Sequence, residues 1–430
     1  MKKVLGIAVT LLLVLLLAAC GPDRDETGGT DSNGSGGNGN TEEGTTGDVE
    51  AEKPDELTMW VNDEEDQLDA YEAIVAKFEE EYGIPVKITE FSMLDQLDAI
   101  SLDGPAGRGP DLFFQANDRV GQAYLEGLAR EITLTEEQLA GYPEGAVQAF
   151  SYEGVQLGIP AVTETYALYY NTDLVSEAPQ TFEDIEQIAA DLTNAANDEY
   201  GFLMEATNFY YLYPFLAADG GYVFNQDADG AYDDSDVGLA NAGAVAGAER
   251  IKSWFDEGYL PVGINGDIMS GLFEDGKVGA VISGPWNIPT YSSALGDSLA
   301  VAPLPTINGE PLASFSGVKG WLVNEYTEHE EWAVELALFI TNAENSLTYF
   351  EYAGELPART DVEIEDEILA AFSEQAEHAV PMPNIPAMSQ VWTPMEEAFI
   401  HITQGEDVQE VLEEAVEQIH ADIDLQKGTN

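Results

Sequence analysis

The sequence predicts an α/β protein with a partly parallel sheet. Short β-like runs alternate with amphipathic helices along the folded part, and the helices gather their apolar residues on one face. Length adds a third constraint: from Leu57 onward about 370 residues remain, too many for one ordinary core and enough for two.

The elements follow in order. LTMWV, residues 57–61, alternates like a strand. Residues 70–82 then place Tyr71, Ile74, Val75, Phe78 and Tyr82 on one helical face, with Gly83 and Pro85 to end it. VKITEF (86–91) and PDLFFQA (110–116) read as further strands and complete a βαβ rhythm. A second block of the same kind opens with TFEDIEQIAADL, where Thr181 is the expected N-cap and Asp184 completes a variant capping box. VGAVIS (278–283) reads as a buried strand running into GPW. Val408, Val411, Leu412, Ala415, Val416 and Ile419 mark a closing amphipathic helix. No internal repeat occurs at solenoid spacing. Residues 381–392, PMPNIPAMSQVW, carry no charge and read as a rigid shelf rather than a helix, with an uncharged floor ending in an aromatic ring.

The first residues address the chain. Lys2 and Lys3 precede an apolar run over 4–17 that is short for a membrane span, so residues 1–19 read as a secretory signal. Leu17-Ala18-Ala19-Cys20 resembles a bacterial lipobox, which implies cleavage before Cys20 and a lipid on its sulfur, with palmitate-type acylation. Cys20 is the one cysteine, so no disulfide forms within the molecule. The rest of the segment 20–56 is rich in Gly, Ser, Thr, Asn and Asp. It reads as a disordered acidic and Gly-rich tether with a reach of about 30–36 Å.

The formal charge is −66. Nucleic acid and anionic headgroups are repelled by it, so the membrane is touched only through the lipid. Such an acidic surplus fits a salty or alkaline medium and says nothing about fold.

Several stretches, in order, resemble the maltose/maltodextrin-binding members of the extracellular solute-binding proteins that serve ABC importers. They are GPDLFFQANDRVG (109–121), GIPAVTETYALYYNTDL (158–174), YPFLAADGGYVF (213–224), ISGPW (282–286), VAPLPTINGEP (301–311) and MPNIPAMSQVW (382–392). The resemblance implies a two-lobe, periplasmic-binding-protein-like fold of type II with a hinged cleft. The N-terminal lobe would take 57–163 and 317–361, and the C-terminal lobe 164–316 and 362–427. It also implies a monomer without cofactor that hands a maltodextrin-type oligosaccharide to an ABC permease and its ATPase.

A sugar offers C–H faces to flat aromatic rings and a rim of hydroxyls to carboxylates, amides and Arg. Trp286 and Trp392 are the expected platforms, gripping from opposite halves of the molecule, and Tyr210 matches a third aromatic position. Asp118 and Arg119 match a hydroxyl-binding pair, Glu164 an acceptor at the crossing between lobes, and Glu64 an acidic ligand after the first strand. Ordinary alternatives stand beside each: a core aromatic, a surface ion pair, a solvated acid among 81. The chain departs from the pattern at Gln115, Glu65, Asn208 and Glu396, where the better-known maltose binders carry Trp, Lys, Glu and Arg. Those departures leave the particular oligosaccharide, linear or cyclic, open.

Two rival classes fit the sequence less well. A cell-surface glycosidase would need paired carboxyls about 5–9.5 Å apart, but no nucleophile elbow, Walker loop or HExxH is present. An adhesin would suit the lipid and tether but would leave an aromatic cleft unexplained. The histidines, at 329, 378, 401 and 420, lack metal-site spacing. Asn225-x-Asp227-x-Asp229-Gly230, with Asp233 and Asp236, imitates an EF-hand loop, yet GGYVF before it reads as a strand and Asp229-Gly230 as a hairpin turn. No metal is expected.

Overall fold

The computed structural model describes residues 52–227, 231–364 and 367–429. The expected signal, Cys20 and the expected tether as far as residue 51 lie outside the described residues, as does the expected turn at Asp229-Gly230. Near the start of the described residues, Lys53 Nζ donates to the Tyr82 carbonyl at 2.8 Å.

Two sheets organise two lobes. The larger places Leu57–Val61 next to one edge, parallel to both the edge strand Val86–Glu90 and Leu112–Ala116. Beyond Leu112–Ala116 lie the antiparallel strands Phe315–Val323 and Gly158–Glu164, with Leu356–Pro357 at the edge. The smaller sheet orders Leu299–Ala302, Ala167–Asn171, Val278–Ser283 and Tyr200–Leu203, of which only the last pair is parallel. The partly parallel character expected from the βαβ rhythm is therefore present in both.

Each sheet is covered by helices that bury one face. The first helix runs Glu65–Tyr82, five residues earlier than the apolar periodicity reaches, and buries Tyr71, Ile74, Val75 and Phe78. Glu65 and Asp66 fill its first turn, where the positive end of the helix dipole favours acids, and Gly83 at φ 69° closes it. Thr181 caps Phe182–Leu192 with the full reciprocal box to Asp184. Val278–Ser283 is buried at every position, and the closing helix runs Val408–Thr429.

The apolar residues separate accordingly. Residues between Leu57 and Val162, joined by Trp321–Ala353 residues, form the cores of one lobe. Residues between Tyr166 and Phe315, joined by Leu369 through Ile423, form the core of the other. The chain therefore crosses between cores near Glu164, near Phe315 and after Pro357.

Two expectations need correction. In residues 381–392, Val380–Pro381 pairs with Phe315–Ser316 and Pro386–Gln390 forms a 3₁₀ turn. Ala387, Met388 and Val391 are core residues there, so most of the missing charge reflects burial and not a floor for a ligand. Only Met382 and Trp392 of that stretch reach the cleft described below. The strand expected in GGYVF begins only at its last residue: Phe224–Gln226 pairs antiparallel with Tyr232–Val237, placing Asn225 opposite Asp233.

The stretch is held against the first lobe at close range. Asn117 Nδ2 donates to the Met382 carbonyl at 3.2 Å, and Asn117 Oδ1 accepts from the Val318 amide at 2.9 Å. A Cβ on Gly121 would lie 2.7 Å from the Asn384 carbonyl oxygen and 2.8 Å from the Pro386 nitrogen, too close for any side chain. Gly121→Ala is therefore expected to destabilise the protein by about 1–3 kcal/mol, read as a lowered melting temperature. An unchanged melting temperature would show that the contact is slack.

Candidate functional site

A cleft of about 650 Å³ opens between the lobes and is lined by all seven residues singled out above: Glu64, Asp118, Arg119, Glu164, Tyr210, Trp286 and Trp392. Each arrives from the end of a secondary-structure element. Glu64 follows the strand Leu57–Val61 and stands at the N-cap of the first helix. Asp118 and Arg119 lie in a 3₁₀ turn directly after Leu112–Ala116. Glu164 ends its strand at the crossing between lobes. Tyr210 opens the helix Phe209–Ala217, with its amide donating to the Asn208 side chain at 3.1 Å. Strand ends and helix starts converge here, as ligand sites in α/β sheets do.

The two indoles belong to the same lobe, contrary to the expectation that they grip from opposite halves. Trp286 follows the buried strand Val278–Ser283, Trp392 begins the helix Trp392–Thr403, and both pack on the second core. The rest of Trp392–Thr403 shows why: Met395, Ala398, Phe399 and Ile402 anchor that helix in the second core, so its first residue cannot sit elsewhere. The first lobe supplies the facing polar wall.

Trp392 is fixed on several sides. Its ring meets Phe209 and Phe315 edge-on, with centroids 5.8 and 6.2 Å away. Its Nε1 donates to Asp118 Oδ2 at 2.9 Å across the cleft. Trp286 folds back over Gly284, where any Cβ would lie 2.0 Å from the indole, so only glycine permits that ring position. Tyr210 lies edge-on to Tyr166 at 4.7 Å, and its buried hydroxyl has no protein partner.

The electrostatics are those of carboxylates short of water. Burial pushes the Asp118 carboxyl above its ordinary value, against the opposing pull of Arg119, 3.6 Å away, and of the Trp392 indole. Burial likewise raises Glu164, opposed by Lys319 at 2.8 Å. Glu64 is raised by partial desolvation and by neighbouring Asp63. Glu205, which also lines the cleft, is raised chiefly by burial.

Several lining residues lie outside the sequence motifs. Lys319 sits in the middle of Phe315–Val323 and lies under Trp286, with Nζ 5.2 Å from the ring centroid. Its one advance mark is a lone cation between glycines in a buried strand. Met93 begins a 3₁₀ turn, Asn265 caps the helix Gly266–Glu274 and Glu205 lies in a loop, none of them within a motif. The departures also acquire roles. Gln115 is buried and donates to the Met93 carbonyl at 2.8 Å, Asn208 caps its helix, and Glu396 lines the cleft. Glu65 is the first residue of its helix and does not line the cleft. Among the described residues no three Asp, Glu, His or Cys side chains converge as metal ligands, and Asp229 of the EF-hand-like stretch lies outside them.

A two-lobe α/β molecule whose cleft joins indole platforms to hydrogen-bonding carboxylates is built to hold a solute. Residues 73–377 match the family of bacterial extracellular solute-binding proteins, and the chain belongs to that family. It is similar to a galactooligosaccharide-binding protein of Bacillus subtilis, 33% identical over 416 residues covering 94% of this chain and 93% of that one. It is similar as well to the maltodextrin-binding protein MdxE of Bacillus subtilis, 37% identical over 362 residues covering 81% of this chain and 85% of that one. Among solved structures it resembles the extracellular solute-binding protein of Staphylococcus aureus in complex with maltose. There the identity is 44% and the TM-score 0.70, over 87% of this chain and 99% of that chain. The family binds solutes and does no chemistry on them, so the chain is a binding protein and not a glycosidase.

The raised carboxyls give a pH dependence of definite sign. Glu64, Asp118, Glu164 and Glu205 hold their protons more tightly folded than unfolded. Above the ordinary values of 3.8 for Asp and 4.5 for Glu, the folded state therefore binds more protons, and stability falls as pH rises through the folded values. Asp184 and Asp361, lowered by hydrogen bonds to Thr181 and Arg359, act in the opposite sense only as pH falls below 3.8. At low salt the melting temperature is expected to rise as pH is lowered from neutrality toward the ordinary glutamate value of 4.5. A fall over that interval would contradict the burial of these groups.

Proposed function

We propose that the protein captures maltodextrin-type oligosaccharides at the outer face of the cell membrane, held there by lipid on Cys20, and delivers them to an ABC permease powered by its own ATPase. The observation that carries the sugar reading is the placement of Trp286 and Trp392 along one wall of the cleft with Asp118, Arg119 and Glu164 along the others. Flat rings suit the C–H faces of glucose units, and carboxylates and a guanidinium suit its hydroxyls. The maltodextrin-binding and maltose-bound relatives support the choice of α-glucans. The lipobox-like LAAC and the polar segment behind it support anchoring at Cys20.

The lobes in this reading are 57–163 with 317–361 and 164–316 with 362–427, a division supported by the separate cores. They close on the sugar because a ligand touching both walls binds the closed form better, and only that difference shifts the equilibrium. The protein acts as a monomer and needs no cofactor. Its acidic surface suits a salty or alkaline medium.

A second reading has a specific observation behind it: the galactooligosaccharide-binding relative matches over nearly the whole chain. Calorimetry against maltotriose, maltotetraose, a cyclodextrin and a galactooligosaccharide separates the two. The α-glucans are expected to bind, chromatography is expected to return them intact, and Trp392→Ala is expected to weaken binding by about 2–4 kcal/mol. Tight binding of the galactooligosaccharide alone would replace the first reading with the second.

A further inference from the structure

Lys319 stands where the chain passes between lobes. It is 5% exposed, on the strand Phe315–Val323 that begins in the second core and ends in the first. Its Nζ lies 2.8 Å from Glu164 Oε2, at the end of another crossing strand. It also pairs with Glu355 Oε1, one residue before the edge strand Leu356–Pro357. Glu355 is fully buried, and its other oxygen accepts from Tyr349 Oη at 2.5 Å and from Gln67 Nε2 at 3.1 Å. Three crossing segments thus meet on one ammonium. On the cleft side, the same ammonium lies 5.2 Å from the centroid of Trp286.

We propose that Lys319 is a positioning residue of the cleft, setting the Glu164 carboxylate of the crossing and the Trp286 indole of the second lobe relative to one another. The inference rests on the carbohydrate reading for its consequence, though not for its geometry. A structural ion pair would need one carboxylate. Here Glu355 is saturated by Lys319, Tyr349 and Gln67 and anchors the ammonium from within. The ammonium can then hold Glu164 through one oxygen and leave that carboxylate's second oxygen to accept from a hydroxyl. The indole face attracts the cation through its quadrupole, most strongly where water is excluded. Two carboxylates share one cation, so the ammonium stays charged and Lys319 is held well above its ordinary value by Glu164 and Glu355 against the effect of burial. A platform and an acceptor placed by one group keep their spacing as the lobes move.

Lys319→Met alone strands two buried carboxylates and invites unfolding, so the deciding variant is Lys319→Met with Glu355→Gln, measured against Glu355→Gln alone. Two readings are taken. Tryptophan emission of the sugar-free protein is expected to shift when Lys319 is removed, and the shift is expected to vanish in a Trp286→Phe background. Maltotetraose affinity, measured well below the melting transition that the unpaired Glu164 is expected to lower, is expected to fall about 30-fold relative to Glu355→Gln. Emission that is unchanged, or that shifts equally without Trp286, overturns the proposal. So does maltotetraose affinity within about threefold of the Glu355→Gln value. If the unsubstituted protein does not bind maltotetraose, the maltodextrin reading falls, and the emission spectra still decide whether Lys319 governs Trp286.

Discussion

Two carboxylates and one ammonium, shut away from water at the crossing of the chain, set the terms for the rest of the molecule. Glu164, Lys319 and Glu355 come from three segments distant in sequence. Removing one partner from such a cluster leaves an uncompensated buried charge and costs about 3–5 kcal/mol, whereas a well-packed apolar replacement of all three would cost little. The cluster is therefore better understood as a device of registry than of stability. It fixes how the strands Gly158–Glu164 and Phe315–Val323 lie against each other where the chain crosses between lobes, and it does so at the floor of the cleft. The pairing of those strands shifts register between Lys319 and Gly320, so the lysine lies at an irregularity in the ladder.

From that floor the two walls differ in kind. The second lobe contributes rings: Trp392 is braced by Phe209 and Phe315, Tyr210 by Tyr166, and Trp286 packs on the same core. The first contributes polar groups held by short turns, with Asp118 and Arg119 following a buried strand. The bond from Trp392 Nε1 to Asp118 joins the walls directly. An uncharged polyhydroxyl chain suits such a space because it gains contact with the rings while satisfying the carboxylates with its own donors. The high acidity of the chain as a whole governs solubility and approach. Within the cleft, Lys319 and Arg119 each stand beside a carboxylate, so such a ligand would be selected by hydroxyl geometry more than by net charge.

Much of this was legible in the sequence because the signals were local. The apolar positions of the first helix, Gly83 at its end, the Thr181–Asp184 box and the strand Val278–Ser283 each depend on neighbours a few residues away. The seven cleft residues were legible through motifs whose order along the chain carries the family. What the sequence hid depends on long-range assembly. Lysine in a strand reads as an exposed residue, because burial of lysine requires partners that sequence does not display; Glu164 and Glu355 lie 155 and 36 positions from Lys319. The shared lobe of Trp286 and Trp392 follows from a discontinuous topology in which stretches over a hundred residues apart join one core. The uncharged run 381–392 misled for a related reason: packing between lobes and contact with a neutral ligand both exclude charge, and composition cannot tell them apart.

The most direct measurement is a crystal structure of the protein with maltotetraose. The expected result is sugar rings lying against Trp286 and Trp392, with hydroxyls bonded to Asp118, Arg119 and Glu164 and with Lys319 still paired beneath them. A sugar ordered at another surface, with both indoles bare, would contradict the central claim that this cleft is a carbohydrate site.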